Sequence, residues 1–308
     1  MSTEGGTRAI VAALAANLGI AACKFVAFAV TGSSSLAAEG VHSLADSGNQ
    51  LLLLVGGRRS RRAADEEHPF GYGRSRYVYA FVVSIVLFTV GGLFAVYEGV
   101  HKVAHPEALN SPRWAIAVLA VSILLESFSL RTAVREAELV RAGRSWVAFV
   151  RHAKSPELPV VLLEDTGALA GLVIALAGVG LAALTGNGRW DGAGSLGIGL
   201  LLIVIAMFLA IEMNSLLIGE AALPEEVAAI RAALESTPAV SRVIHLRTLH
   251  LGPDEVLVGA KIAVAHDDTA AAVARAIDAA EARVRAAVPA ATRIYLEPDI
   301  DRSGSPDS

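Results

Sequence analysis

The chain has 308 residues, 54% of them hydrophobic and 18% charged, with a mean hydropathy of +0.54. A soluble domain carries about a quarter charged residues, so this composition excludes an ordinary soluble fold. The formal net charge of -4 is too small to imply nucleic acid or an acidic substrate, and a single cysteine, Cys23, rules out an intrachain disulfide and any thiolate cluster within one chain.

Six apolar segments occupy residues 9–31, 36–55, 77–100, 114–130, 159–184 and 194–217. Each is about 17 to 26 residues long, enough for a helix to cross a bilayer. The first is not a secretory signal, because no basic region precedes it and its apolar run is too long. Six crossings place both termini on one side. The loop after the second segment carries Arg58, Arg59, Arg61, Arg62, Arg74 and Arg76, and the loop after the fourth carries Arg131, Arg135, Arg141, Arg144, Arg151 and Lys154. The remaining loops are poor in base, so the positive-inside rule makes these two loops, and with them both termini, cytoplasmic. The predominance of Arg over Lys and the abundance of Ala point to a prokaryotic plasma membrane.

From about residue 219 the sequence takes on the character of a small soluble α/β domain. Residues 224–234 predict a helix with Pro224 in its first turn and Glu225 and Glu226 at its positive end. Residues 240–250 and 255–265 alternate apolar and polar as two strands, broken at Gly252-Pro253-Asp254 as a hairpin requires. An Ala-rich helix at 268–288 and a last strand at 292–297 follow, and the polar residues 301–308 form a disordered tail. The order helix, strand, strand, helix, strand suggests two layers.

Ionisable residues inside the apolar segments need a reason, because a charge near the bilayer centre costs several kcal/mol. His42 and Asp46 stand one helical turn apart on one face and offer an imidazole nitrogen and a carboxylate oxygen. Those are ligands for a divalent transition metal, and Glu164 and Asp165 open the fifth segment with two more oxygens. The bland alternatives are a packing histidine at 42 and carboxylates at 164 and 165 that only favour a helix N-terminus. Glu126 reads as a structural hydrogen-bonding partner, and Asn17 and Lys24 as interhelical glue or a snorkelling charge. In the soluble domain, His245 and His250 are an odd number of residues apart on one strand, so they face opposite sides and share no ion. The G-x-G-x-x-G at 192–197 enters a spanning helix and is not a dinucleotide site.

The motifs Thr31-Gly32-Ser33-Ser34-Ser35, Glu39 to Asp46, and His68-Pro69-Phe70-Gly71-Tyr72-Gly73-Arg74 resemble the cation diffusion facilitator, or zinc transporter, family. Tyr97 to Lys102, Glu164-Asp165 and Leu216 to Ala221 are similar to its ZnT9-like branch, and the resemblance runs from about residue 17 to 298. It implies a multi-pass α-helical membrane protein with six transmembrane helices over 9–218, a short cytoplasmic tail at 1–8, and a cytoplasmic ferredoxin-like α/β domain at 219–300 that forms a homodimer. It further implies a secondary transporter, not an enzyme, with no prosthetic group. Its cargo would be Zn²⁺, or Mn²⁺, Fe²⁺ or Co²⁺, exported from the cytoplasm in exchange for protons.

The family's intramembrane site takes two ligands from the second helix and two from the fifth, each pair one turn apart. His42, Asp46 and Asp165 match, but Val161 stands where the fourth ligand belongs. Glu164, Glu39, Asn49 or a water are the alternatives for completing the set, and an extra oxygen would shift preference away from strictly tetrahedral Zn²⁺. The cytoplasmic metal site of some relatives corresponds here to Tyr295-Leu296-Glu297-Pro298-Asp299, which favours dimerisation without regulatory zinc. The alternatives are a non-transporting metal sensor or partner subunit, and, more weakly, an intramembrane metalloenzyme.

Overall fold

The computed structural model describes residues 2–31, 34–106 and 112–300, without the side chains of 2–5, 30–42, 45 and 112. The expected tail at 301–308 lies outside the described residues. The chain divides into two compact units, Met1–Arg62 with Ser75–Asn214, and Ala63–Arg74 with Ser215–Ser308.

The first unit is helical throughout. Helices α1 (Ser2–Thr31) and α2 (Ser34–Arg59) lead to α3 (Ser75–Val86), which continues through a π-helical stretch, Leu87–Leu93, into α4 (Phe94–Ala104). After α5 (Pro112–Arg141) come the short α6 (Trp146–His152), then α7 (Glu157–Thr185) and α8 (Arg189–Ile218). Helix α1 packs against α2, α5 and α7, and α5 packs against α7, so the four enclose a common interior.

Among the described residues five stretches are long and apolar enough to cross a membrane: Gly6–Ala29, Ser75–Ala104, Arg113–Arg141, Glu157–Thr185 and Arg189–Ile218. Six were expected from the sequence. The sixth, on α2 (Ser34–Arg59), falls in part on residues 34–42 and 45, whose side chains lie outside the described residues. Exposed Leu124 and Phe128 on α5 and Leu200, Val204 and Ile211 on α8 give the unit the apolar exterior that lipid demands.

Two elements depart from the sequence reading. Helix α5 runs eleven residues past the expected end at Leu130, because Ala133 and Ala137 continue its buried stripe where Arg131 and Arg135 suggested a boundary. Helix α6 was not foreseen; its cap is Ser145, whose hydroxyl accepts from the Ala148 backbone N–H at 3.2 Å.

The rod formed by α3, the π stretch and α4 lies against α8 through glycines. A methyl group at Gly99 would fall 2.6 Å from the Leu196 backbone nitrogen, and one at Gly199 would fall 2.7 Å from that of Val96. Backbones meet this closely only where no side chain intervenes, which is how small residues drive helix association in lipid. Gly199→Val must separate the helices, and overpacking of this kind costs about 1–3 kcal/mol. Thermal unfolding in detergent followed by circular dichroism is expected to show a clear loss for Gly199→Val and none for Gly180→Ala, where a methyl meets nothing within 4 Å.

The second unit carries helix α9 (Pro224–Glu235), strands β1 (Arg242–Gly252) and β2 (Glu255–Val264), helix α10 (Ala270–Ala287) and strand β3 (Ala291–Ile300), in the expected order. Strands β1 and β2 form the antiparallel hairpin, and β3 adds parallel to β2 after the α10 crossover, giving the sheet order β1-β2-β3. Alternate residues Val256, Val258, Ala260 and Ile262 of β2 join Ile230 and Leu234 of α9 and Ala280 and Val284 of α10 in one core. Pro224 opens α9, and Glu226 accepts from the Leu223 backbone N–H at 3.0 Å. Thr269 caps α10, its hydroxyl accepting from the Ala272 backbone N–H at 3.2 Å.

The loop 63–74 belongs to this second unit. Asp65 accepts from the Tyr72 hydroxyl at 2.7 Å and from the His68 backbone N–H at 2.8 Å. The Tyr72 hydrogen bond, then the His68 one, holds the Asp65 carboxyl below its ordinary value. Because the folded value is lowered, this contribution is present at neutral pH and is lost as pH falls through the acidic range.

Candidate metal site

Helix α2 brings Ser43, Asp46, Ser47 and Gln50 onto one side by their spacing of three and four residues, with Asn49 beside them. Helix α7 begins at Glu157, so Glu164 and Asp165 sit about two turns inside it. At that depth the favourable field of a helix N-terminus has decayed, and another reason for two buried carboxylates is needed. Asp46, Glu164, Asp165 and, from α5, Glu126 line one cavity of about 230 Å³.

Each carboxylate has a distinct surrounding. Both oxygens of Glu164 are taken: Oε1 accepts from Asn49 Nδ2 and Oε2 from Gln50 Nε2, each at 3.0 Å. Asp165 Oδ2 accepts from the Ser129 hydroxyl at 2.6 Å. On the α1 side of the cavity Lys24 donates to Ser43 Oγ at 3.0 Å, and Asn17 donates to Gln50 Oε1 at 3.3 Å. Lys24 is buried within the bundle, so it bridges α1 and α2 and does not snorkel.

The same cavity extends along α4 to Glu98 and Lys102. Lys102 is ion-paired with Glu98 at 3.0 Å and with Asp191 of α8 at 3.1 Å. At the opposite end of the helices Arg76 and Glu157, both buried, pair at 3.2 Å; Arg76 also donates to Ser60 Oγ and the Tyr77 hydroxyl to the Lys154 carbonyl. These contacts tie α2, α3 and α7 together at the arginine-rich end.

The backbone of His42 lies one turn before Asp46 on α2, but the side chains of His42 and Glu39 lie outside the described residues. Val161 is fully buried and is not part of the cavity wall. Among the described residues no three His, Cys, Asp or Glu side chains already stand close enough together to hold an ion. In the soluble unit His245 is exposed and His250 buried, on opposite sides of β1 as expected, with His250 Nδ1 3.1 Å from the Gly252 carbonyl.

Residues 10–218 match the cation efflux transmembrane domain, and residues 222–299 match the cation efflux protein cytoplasmic domain. The chain belongs to the cation efflux family. This cation efflux protein is similar to the proton-coupled zinc antiporter SLC30A9, mitochondrial, of Homo sapiens, at 36% identity over 241 residues, 78% of this chain and 42% of that protein. It is 30% identical to metal tolerance protein C4 of Arabidopsis thaliana over 264 residues, 85% of this chain and 58% of that one. To the cation-efflux pump FieF of Serratia proteamaculans it is 32% identical over 233 residues, 75% of this chain and 72% of the pump. The chain spans less than half the length of the SLC30A9 relatives it matches. As a member of a transporter family it is an integral membrane protein and not an enzyme.

Gln50, Ser129 and Ser43 were not singled out from the sequence of this cation efflux protein. Gln50 follows Asp46 by four residues, and Ser122, Glu126 and Ser129 repeat at intervals of four and three along α5. A polar stripe at helical spacing in an apolar segment is the signal that finds them.

Proposed function

We propose that this chain is a secondary transporter that exports a divalent transition-metal cation, Zn²⁺ first, from the cytoplasm in exchange for protons. The reading rests on one observation above all: Asp46 of α2 and Asp165 of α7 line a single cavity inside the membrane unit of a cation efflux protein. His42, one turn before Asp46, supplies the nitrogen, while Glu164, Glu39 and Asn49 are the further candidate oxygen donors. Binding needs a neutral imidazole and ionised carboxylates, so loading the site releases protons and protonation expels the ion. Moving two charges outward against an inside-negative potential costs about 5 kcal/mol per 100 mV, which an inward proton flux offsets.

All six long helices, α2 included, cross the membrane in this reading, with both termini in the cytoplasm of a prokaryotic cell. The second unit joins two copies into a homodimer, as the dimerisation domain matched by residues 222–299 suggests. The cavity reaches Lys102, away from the arginine-rich loops, whereas at the other end Arg76 joins Glu157 and Ser60 beside a separate second cavity. That corresponds to the outward-facing state, and inward opening requires the Arg76–Glu157 pair to part. Val161, in place of a fourth ligand, favours the second reading, a metal-sensing or partner subunit without transport.

The test is a comparison of Zn²⁺, Mn²⁺, Fe²⁺ and Co²⁺ flux in proteoliposomes under an imposed pH gradient. Flux that depends on the gradient and is greatest for Zn²⁺ is expected. Saturable metal binding with no flux for any of the four would replace transport by the sensor reading.

A further inference from the structure

Building on the transport reading, we infer that the position left vacant by Val161 is filled from a third helix, and that Glu126 of α5 is a direct ligand of the transported cation. The carboxylate that neighbours Asp165 in sequence, Glu164, is poorly placed for that task. Its two oxygens already accept from Asn49 Nδ2 and Gln50 Nε2, and these bonds fasten α7 to α2. Each oxygen keeps a second lone pair, but swinging the carboxylate toward an ion would break these bonds and leave two buried amides without their acceptor. Buried amides left unpaired in this way are costly.

Glu126 presents the opposite case. It is 2% exposed, it lines the cavity with Asp46 and Asp165, and it makes no hydrogen bond or ion pair among the described residues. The sequence reading of this residue as a structural hydrogen-bonding partner is therefore corrected. The charged groups that act on it are Asp165, Glu164, Asp46 and Lys24, three of them of its own sign. Buried polar groups are almost always satisfied, and a carboxyl facing like charges across a cavity is satisfied best by a cation between them. Two more observations point the same way. Among the described residues Ser122 Oγ, one turn before Glu126 on the same helix, is buried with no hydrogen-bond partner, as is Asn49 Oδ1. Ser129, three residues after Glu126, holds Asp165 Oδ2 and so fixes α5 beside α7 while leaving Oδ1 for an ion.

The three carboxylates line one cavity but do not yet stand close enough together to hold an ion, so binding draws their side chains inward. The resulting set is His42 and Asp46 from α2, Asp165 from α7 and Glu126 from α5. It supplies one nitrogen and three carboxylates, a four-ligand set compatible with Zn²⁺ and Co²⁺. Glu164 becomes a structural clamp beside the site and not one of its ligands.

The probe is Co²⁺ binding to the purified full-length protein, read by equilibrium dialysis and by the visible spectrum of the bound ion, with melting temperature measured in parallel. Loss of a residue that only supports a ligand weakens metal binding about 10- to 100-fold. Glu126→Gln is therefore expected to weaken Co²⁺ binding by at least about 100-fold and to change its spectrum, at an unchanged melting temperature. Glu164→Gln is expected to weaken binding by about tenfold or less, to keep the spectrum, and to lower the melting temperature. Loss of binding in Asp165→Ala and Glu164→Gln with wild-type affinity and spectrum in Glu126→Gln would overturn the inference and leave the transport reading standing. Wild-type binding in Asp165→Ala would remove the cavity as the cargo site, and the role of Glu126 with it.

Discussion

Asp165→Ala is expected to lower metal flux by at least about 100-fold, with Asp46→Ala close behind, while both variants fold and insert as the wild type does. The two carboxylates come from different helices and line one cavity, so in the proposed transport site each substitution removes an anionic oxygen from the same ion. A lost ligand costs more than the 10- to 100-fold of a lost supporting residue. Asp165 also accepts from Ser129, and the freed hydroxyl can turn to a backbone carbonyl, so the structural loss is small beside the chemical one. Radiotracer or dye-based uptake in proteoliposomes, normalised to inserted protein, decides the matter. Flux within about threefold of wild type in both variants would place the cargo elsewhere.

The second large effect concerns folding. Glu157→Ala leaves Arg76 without its 3.2 Å partner at a site where both side chains are buried. Removing one member of a buried ion pair costs about 3–5 kcal/mol because the remaining charge loses a desolvated counter-ion. For a chain of this size that corresponds to a fall in melting temperature on the order of 10 °C. Replacing both together, Arg76→Met with Glu157→Leu, is expected to recover most of the loss, since no unpaired charge remains. Thermal unfolding in detergent measures both. A single variant that melts with the wild type would mean that the pair is solvated and holds nothing shut.

Much of this was legible in the residues before any coordinates. The apolar segments placed the long helices, and the alternation in residues 240–265 with Gly252-Pro253-Asp254 placed the hairpin. The legible part was local, because it depends on spacing along one element. Helix α2 was readable as a helix, but the polar residues Asp46, Asn49 and Gln50 that make it a candidate site also dilute its apolar sequence. Function and hydropathy conflict there. The end of α5 was misplaced because Arg131 and Arg135 mark where a bilayer ends, whereas a helix ends only when its buried stripe and backbone bonding do. The pairing of Glu164 with Asn49 spans 115 residues, and nothing in the local pattern announces it. Asn49 stood among the candidate ligands, yet its amide is a donor to Glu164. The lack of a hydrogen-bond partner for Glu126 among the described residues was illegible for the same reason: it depends on three neighbouring helices, not on its own.

The most direct measurement follows Zn²⁺ and protons together in the same proteoliposomes, with a metal dye and a pH dye trapped inside and the membrane potential clamped to zero. Zn²⁺ uptake is expected to make the lumen more alkaline as protons leave in exchange, and both signals are expected to vanish in Asp165→Ala. Zn²⁺ accumulation at constant lumenal pH, or proton movement indifferent to added Zn²⁺, would contradict exchange through this cavity.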